Sequence, residues 1–402
     1  MMKFESLDQA LIGLSKKLLN EGVTRKTRGY DCVEIPEPVL VCLEKPCNRY
    51  ITIPERKWNK FLPWIESLWL ALGLNDLALP GKYVKNLYNF SDNGRTWRAG
   101  YGARFRFYTG FGQDYDISDR KQAHIYSGTV NMVDQFRYVI EVLKKDINSR
   151  QAIITIADPA KDCFDSEGNI KVTKDQPCSR SLQFMVVDGK LDCTLYIRSN
   201  DLMWGFSAVN VFNFTLIQEY FANILGIPVG KYYHFANNLH YYKNFENDIR
   251  FFASLNPDDY SFKHEFYYKS NFMSLKNFDF LIDLLFDFEK RISLNPKHDD
   301  EIPDFGNDMI NDWARVIKVY WTKEKVEFVN PFLNLLFYGK ENQNPDFKSL
   351  GFKPGQMIVK VYHSDTNIGY YSVFNPKGYI DRCEKDGKRA EYLGILKPDF
   401  TI

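Results

Sequence analysis

The stretch Gln176-Pro177-Cys178-Ser179-Arg180-Ser181-Leu182-Gln183-Phe184 opens the part of the chain that decides its reading. It continues through Leu195-Tyr196-Ile197-Arg198-Ser199-Asn200-Asp201 and closes on Asn237-Asn238-Leu239-His240-Tyr241-Tyr242. The runs Leu182 to Val187 and Leu191 to Ile197 flank Asp188-Gly189, a strong signal for a tight β-hairpin. Phe212, Leu216, Tyr220 and Ile224 recur at helical spacing, which predicts a helix over about 206–225 that carries Asn210 and is capped by Gly226. A cysteine, an Arg-Ser-x-Asp cluster, a helical asparagine and a His-x-Tyr pair together supply a nucleophile beside an anion-binding site.

Upstream, the helix predicted over 131–146 runs into Ser149-Arg150-Gln151 and a strand over 152–156. Residues 98–110 alternate like a strand after Gly100-Tyr101-Gly102, and they lack the third glycine of a dinucleotide fingerprint. Phe61 to Gly73 is apolar on nearly every side and predicts a buried helix with Glu66 inside it. An unpaired ionised carboxylate there would cost several kcal/mol. Residues 7–21 form an opening amphipathic helix, followed by the basic loop Thr24 to Gly29, while Val39 to Leu43 and Tyr50 to Ile53 look like strands. Residues 159–176 form a polar insertion, helices are expected over 276–292 and 306–323, and the rest is rich in turns. Helices and strands without regular βαβ alternation predict an α+β fold.

With 402 residues and 45% hydrophobic composition, the chain can bury a large core. A net charge of +1 removes any general electrostatic case for nucleic acid or membrane, so neither is expected as a partner. No apolar run reaches the length of a membrane span and the start lacks a signal-peptide core, so a cytoplasmic protein is expected. Seven cysteines at irregular positions argue against a disulfide framework, and no cysteine-histidine spacing suggests a metal site.

The segment 176–242 resembles the catalytic core of the thymidylate synthase family, which includes the pyrimidine nucleotide hydroxymethylases. The family's Pro-Cys-(His)-x-x-x-Gln-Phe appears as Pro177 to Phe184, and its Arg-Ser-x-Asp as Arg198 to Asp201 with Gly205 after it. Its helical asparagine is Asn210 and its His-x-Tyr is His240-Tyr241-Tyr242. Weaker matches are Glu66-Ser67-Leu68-Trp69, Tyr101-Gly102 and Ser149-Arg150-Gln151. The resemblance covers roughly residues 5–300. It implies a mixed sheet packed with helices in an obligate homodimer: a catalytic domain over 1–300, with 301–402 as a C-terminal extension of unknown role.

It further implies one-carbon transfer to C5 of a uracil nucleotide, with 5,10-methylenetetrahydrofolate as co-substrate and no metal. Cys178 would attack C6 of the base. Arg198 would lower the thiol pKa and bind the phosphate, joined by Ser199, by Arg28 (with Arg25 as its competitor) and by Arg150 from the partner subunit. Gln183 would also contact the nucleotide. Asn210 would bond the N3–O4 edge of the base, an amide suiting uracil where members acting on cytosine carry aspartate. His240 and Tyr242 would hold the sugar. Glu66 would shuttle protons, Tyr101 would help remove the C5 proton, and Asp201 with Gly205 would face the folate. Taken singly, each has a bland role, such as a packed thiol or a solvated turn. The ordered set is what points to chemistry.

The chain departs from the family pattern at Ser179 for histidine, Gln151 for arginine and Ile197 for glutamine. One extra residue stands between Gly205 and Asn210. The paired tryptophans of the folate side are absent from Leu87-Tyr88-Asn89-Phe90-Ser91, with Trp97 off the expected distance, and the C-terminal closing segment is not recognisable. Reductive methylation of dUMP to dTMP therefore ranks first, 5-hydroxymethylation close behind and conversion of a ribonucleotide third. A catalytically silent nucleotide-binding relative is the alternative from another class.

Overall fold

The computed structural model describes residues 1–27, 29–127, 132–260, 265–269, 271–296, 301–338, 351–362 and 368–395. Contacts divide the chain into two compact units, Met1–Pro331 and Phe332–Ile402. Among the described residues no helix is long and apolar enough to cross a membrane.

The first unit is a mixed α+β fold. Its strands are β1 (Met2–Phe4), β2 (Val23–Thr27), β3 (Tyr30–Glu34), β4 (Val39–Leu43), β5 (Ile153–Thr155), β6 (Ser179–Val187), β7 (Lys190–Ile197), β8 (Asn200–Asp201), β9 (Val229–Ala236) and β10 (Leu239–Tyr242). One sheet runs β1-β4-β9-β7-β6-β5 and a smaller one β2-β3-β10-β8. The large sheet is mixed, with β1–β4 and β7–β9 parallel and the other pairs antiparallel. The β6–β7 turn has both central residues at positive φ, Asp188 at 51° and Gly189 at 74°, as a two-residue hairpin of this twist demands.

One face of the large sheet is covered by the helix Val211–Leu225, which is buried from Val211 through Ile224. Each fully buried Phe or Leu there contributes roughly 1.5–3 kcal/mol. Glu219, inside this helix, is paired with the buried Arg49 at 2.5 Å. The helix ends at Gly226, whose φ of 69° is the left-handed conformation glycine adopts without strain. The other face carries Gln183, Met185, Thr194, Tyr196, Tyr233 and Phe235 and stays partly or fully exposed.

Several expectations are met in detail. The opening helix is Leu7–Glu21, with the Ser6 hydroxyl capping it, and the buried helix is Leu62–Leu72, ended by Gly73 at φ 79°. Others need correction. Tyr50 to Ile53 forms no strand. Residues 101–106 are a helix, Tyr101–Arg106, where alternation suggests a strand. The arginines that produce that alternation do not form a solvated face: Arg104 is buried against Asp162, and Arg106 against Asp134 and Asp279. Residues 301–331, expected in the extension, lie in the first unit. There the helix Asp308–Thr322 buries Trp313, whose indole N–H donates to the Trp64 carbonyl at 2.8 Å.

The second unit has a three-stranded antiparallel sheet, with β11 (Met357–Tyr362) between β12 (Ile368–Ser372) and β13 (Arg389–Ile395). The helix Pro376–Lys385 packs through Cys383 on Val359 and Val361.

Candidate active site

Cys178 stands just before β6, where the β6–β7 register shifts between Ser179 and Ser181. Such a bulge bends a strand and re-aims the side chains beside it. Two contacts fix this corner. The Arg198 backbone N–H donates to the Cys178 carbonyl at 2.9 Å. The Arg198 guanidinium donates from Nε to the Pro177 carbonyl and from Nη2 to the Gln176 carbonyl, both at 3.0 Å. The thiol is half-buried, and none of the seven cysteines is in a disulfide.

Tyr101 and Glu66 face the same corner. The Tyr101 hydroxyl oxygen accepts the Ser179 N–H at 3.1 Å, and burial, with Cys178 nearby, pushes the phenol well above its ordinary range. Glu66 lies on the helix Leu62–Leu72, half-buried and hydrogen-bonded to the Asn213 amide. Burial raises its carboxyl to about 7, the Asn213 bond opposes this, and the charge of Asp175 adds to it. Asn213 is in turn oriented by the Ser67 hydroxyl, which donates to its Oδ1 at 2.8 Å.

A second cluster follows from strand register. β8 pairs parallel with β10, so Asp201 lies opposite His240, and β10 pairs antiparallel with β3, so His240 also lies opposite Glu34. Asn238 ties the cluster together. Its Oδ1 accepts from the Ser199 hydroxyl at 3.4 Å and pairs with His240 Nδ1 at 2.8 Å, while its Nδ2 donates to Glu34 at 2.8 Å. Glu34 then pairs with Arg25 at 2.6 Å. Tyr242 meets His240 and Tyr30 edge to face at 5.3 and 5.7 Å. Asp201 caps the next helix by accepting the Trp204 N–H. Its Oδ2 is buried and has no hydrogen-bond partner among the described residues. Burial raises this carboxyl to about 6.

The extra residue before Asn210 has a structural answer. Leu202–Asn210 is a π-helix, which carries one more residue per turn than the α-helix that continues it. The Val211 N–H bonds back to the Phe206 carbonyl, and the Ser207 hydroxyl donates to the Leu202 carbonyl at 2.7 Å. Side chains satisfy the carbonyls this winding frees: Arg56 donates to Met203, and Trp58 to Ala208 at 2.8 Å. Gly205 leaves room for two amides: a Cβ there would stand 2.3 Å from Asn200 Nδ2 and 3.2 Å from Asn210 Nδ2, so both side chains would have to shift. The half-buried Asn210 amide makes no side-chain hydrogen bond among the described residues.

The structure thus brings Cys178, Arg198, Tyr101 and Glu66 into one corner. It brings Ser199, Asp201, His240 and Tyr242 into the adjoining cluster, and Gly205 and Asn210 onto the π-helix. Gln183 and Arg150 are elsewhere. Gln183 lies between the buried Leu182 and Phe184 and so faces the other side of the sheet, where its amide donates to the Arg150 carbonyl at 3.2 Å. The Arg150 side chain is exposed at that edge. Arg28 lies outside the described residues. Asn238, Glu34, Asn213 and Trp204 escape sequence reasoning, since register and packing alone bring them to the site. Trp204 is 67% exposed one residue before Gly205. Trp97 is turned inward, 6.0 Å from Trp69, with its indole N–H on the Leu87 carbonyl at 3.0 Å.

Comparison with known proteins agrees with this geometry. A family model described as thymidylate synthase matches residues 57–280, more than half of the chain. A deoxyuridylate hydroxymethyltransferase of Bacillus phage SP01 is 35% identical over 234 residues, covering 58% of this chain and 56% of that protein. One of Pseudomonas phage M6 is 30% identical over 255 residues, covering 63% and 65%, and one of Delftia phage PhiW-14 is 28% identical over 212 residues, covering 51% and 52%. The chain therefore spans between half and two thirds of the length of these relatives. With that match running through Cys178, Arg198, Asp201, Asn210 and His240 and covering more than half of the chain, the chain belongs to the thymidylate synthase family.

Proposed function

We propose that this protein transfers a one-carbon unit to C5 of dUMP and that the product is the 5-hydroxymethyl nucleotide. Cys178 Sγ would add to C6, sending the ring electrons to O4 as an enolate that is nucleophilic at C5. Glu66, held by Asn213 and protonated up to about pH 7, is suited to share its proton with O4. Tyr101 keeps its phenolic proton, so it would act as a relay beside the C5 hydrogen and not as a phenolate base. The Asn210 amide offers the donor and acceptor that O4 and N3–H of uracil require. Ser199 and Arg198 would meet the phosphate, with Arg28 or Arg25, while His240 and Tyr242 would meet the sugar.

5,10-Methylenetetrahydrofolate would supply the one-carbon unit, and the unpartnered Oδ2 of Asp201 fits an N–H donor of its pterin ring. Beside it, Trp204 offers an exposed indole for stacking.

One observation carries the choice of outcome. Synthase and hydroxymethylase share the attack and the transfer, then differ in whether hydride or water ends the reaction. Here Trp97 is packed on Trp69 with its indole N–H on the Leu87 carbonyl, so it is not free to shield a bound folate, and a wetter folate side would favour water. The names of the three relatives point the same way. Reductive methylation to dTMP is the second reading, supported by the family match itself.

We also infer a homodimer formed through the exposed face of the large sheet, where Met185 and Tyr196 are 36% and 41% exposed. Arg150 stands at that edge, ready to reach a partner's phosphate site. Cys178→Ser tests the catalytic reading. The variant should bind dUMP and form no product; an active variant would rule out the covalent route, and the silent-relative reading predicts an inactive wild type.

A further inference from the structure

The segment leading into the nucleophile carries a carboxyl that no motif accounts for. Asp175 precedes Cys178 by three residues. Its Oδ2 accepts the Ala99 N–H at 2.9 Å, and its own N–H donates to the Thr173 hydroxyl at 3.1 Å. The next two carbonyls, of Gln176 and Pro177, are gripped by Arg198. Asp175 is thereby tied at both ends, to the turn that leads into Tyr101 and to the corner that presents Cys178. It is half-buried, and among the described residues its Oδ1 makes no hydrogen bond.

The groups around it set its character. Burial raises its carboxyl to about 6, against the Ala99 N–H and the Arg104 and Arg98 guanidiniums, with Asp92 adding to the rise. Its charge in turn raises Glu66 and Tyr101, and Tyr101 also feels Cys178. Both carboxyls are raised by burial, and the charge of Asp175 raises Glu66 further. Geometry assigns the roles: Glu66 is held by the Asn213 amide, while Asp175 keeps an oxygen without a hydrogen bond among the described residues, three positions before Cys178.

Resting on the hydroxymethylation reading above, we propose that Asp175 is the base that takes a proton from the water ending the reaction, with Glu66 as the matching acid. After one-carbon transfer, loss of the C5 proton expels tetrahydrofolate from the one-carbon unit, and the nucleotide carries an exocyclic methylene at C5 and the Cys178 thioether at C6. The water oxygen bonds to the methylene carbon while Asp175 accepts one water proton. The double-bond electrons move to O4, where Glu66 stabilises them. The enolate then re-forms C5=C6 and expels the Cys178 thiolate. No electrons leave the system, so no oxidant or reductant is needed. An ionised carboxylate beside the methylene makes water the competent nucleophile, and Asp175 is thus the residue that determines the product.

Asp175→Asn keeps an oxygen for the Ala99 N–H, so the variant should fold, which a thermal melt checks. Wild type and variant, each in molar excess over dUMP labelled with tritium at C5, would be given methylenetetrahydrofolate, and two rates followed through a single turnover: tritium release, which reports the steps before water, and formation of nucleotide product by mass. The expected result is hydroxymethyl product reduced by about 10²-fold or more, as for loss of a general base, with tritium release within a few-fold of wild type. Undiminished product in the variant would overturn the role of Asp175 and leave the hydroxymethylase reading standing. A parallel fall in both quantities would show a structural role and overturn it equally. Thymidylate from the wild type would overturn the reading and this inference with it.

Discussion

Arg198 donates its Nη2–H to the carbonyl oxygen of Gln176 at 3.0 Å, two residues before the proposed nucleophile. With Nε on Pro177 at the same distance, the guanidinium grips the backbone that presents Cys178. A lysine has no planar fork to span two carbonyls. Arg198→Lys should therefore loosen the corner, lowering kcat by about 10²-fold, the scale of a small misplacement of reacting groups. Alkylation of Cys178 by iodoacetamide, followed by mass, should lose its protection by dUMP at the same time. Unchanged kcat with normal protection would show that the grip is incidental.

Glu66 gives a pH dependence of defined sign. Burial raises its carboxyl to about 7 against the Asn213 hydrogen bond, and the protonated form is the one that can donate to O4. The rate should fall as pH rises through about 7. Glu66→Gln should lose about 10²-fold in kcat, as for removal of a general acid, and lose that limb of the profile. A glutamine variant that keeps the limb would assign it to another group.

Base selection should rest on Asn210, whose amide is uncommitted among the described residues. Asn210→Asp offers an acceptor where uracil O4 needs a donor, and once protonated it can serve the cytosine edge. The variant should lose at least about 10²-fold in kcat/KM for dUMP and act on dCMP instead. Competition assays with both nucleotides would show this, and retained dUMP preference would remove Asn210 from base recognition.

Much of the candidate site was legible because its residues come in contiguous motifs. The order of Cys178, Arg198, Asp201, Asn210 and His240 survives translation into three dimensions, and the hairpin at Asp188-Gly189 and the cap at Gly226 follow from local backbone preference. What was not legible depends on register or on buried charge. Asn238 and Glu34 matter because β10 lies between β3 and β8. Residues 101–106 imitate a strand because Arg104 and Arg106 are buried ion-pair partners that count as polar in any periodicity. The extra residue near Asn210 is visible in the sequence, but only the π-helix shows how it is absorbed.

Stability should carry its own pH signature through Asp8. This carboxyl is fully buried, accepts from the Thr52 N–H at 3.0 Å and from its hydroxyl at 2.5 Å, and burial raises it from 3.8 to about 7. The folded state holds the proton more tightly than the unfolded one. The stability this gives is complete below about pH 4 and is lost as pH rises through about 7. Asp8→Asn should flatten that slope, with a smaller loss of melting temperature between pH 5 and pH 8 than the wild type shows. An identical slope would mean that Asp8 is ionised throughout.

The central claim is the reaction outcome, and one incubation tests it. The purified protein is given dUMP and 5,10-methylenetetrahydrofolate, the nucleotide is weighed by mass spectrometry and dihydrofolate is followed by absorbance. The account predicts 5-hydroxymethyl-dUMP with no dihydrofolate. Thymidylate with stoichiometric dihydrofolate would contradict it.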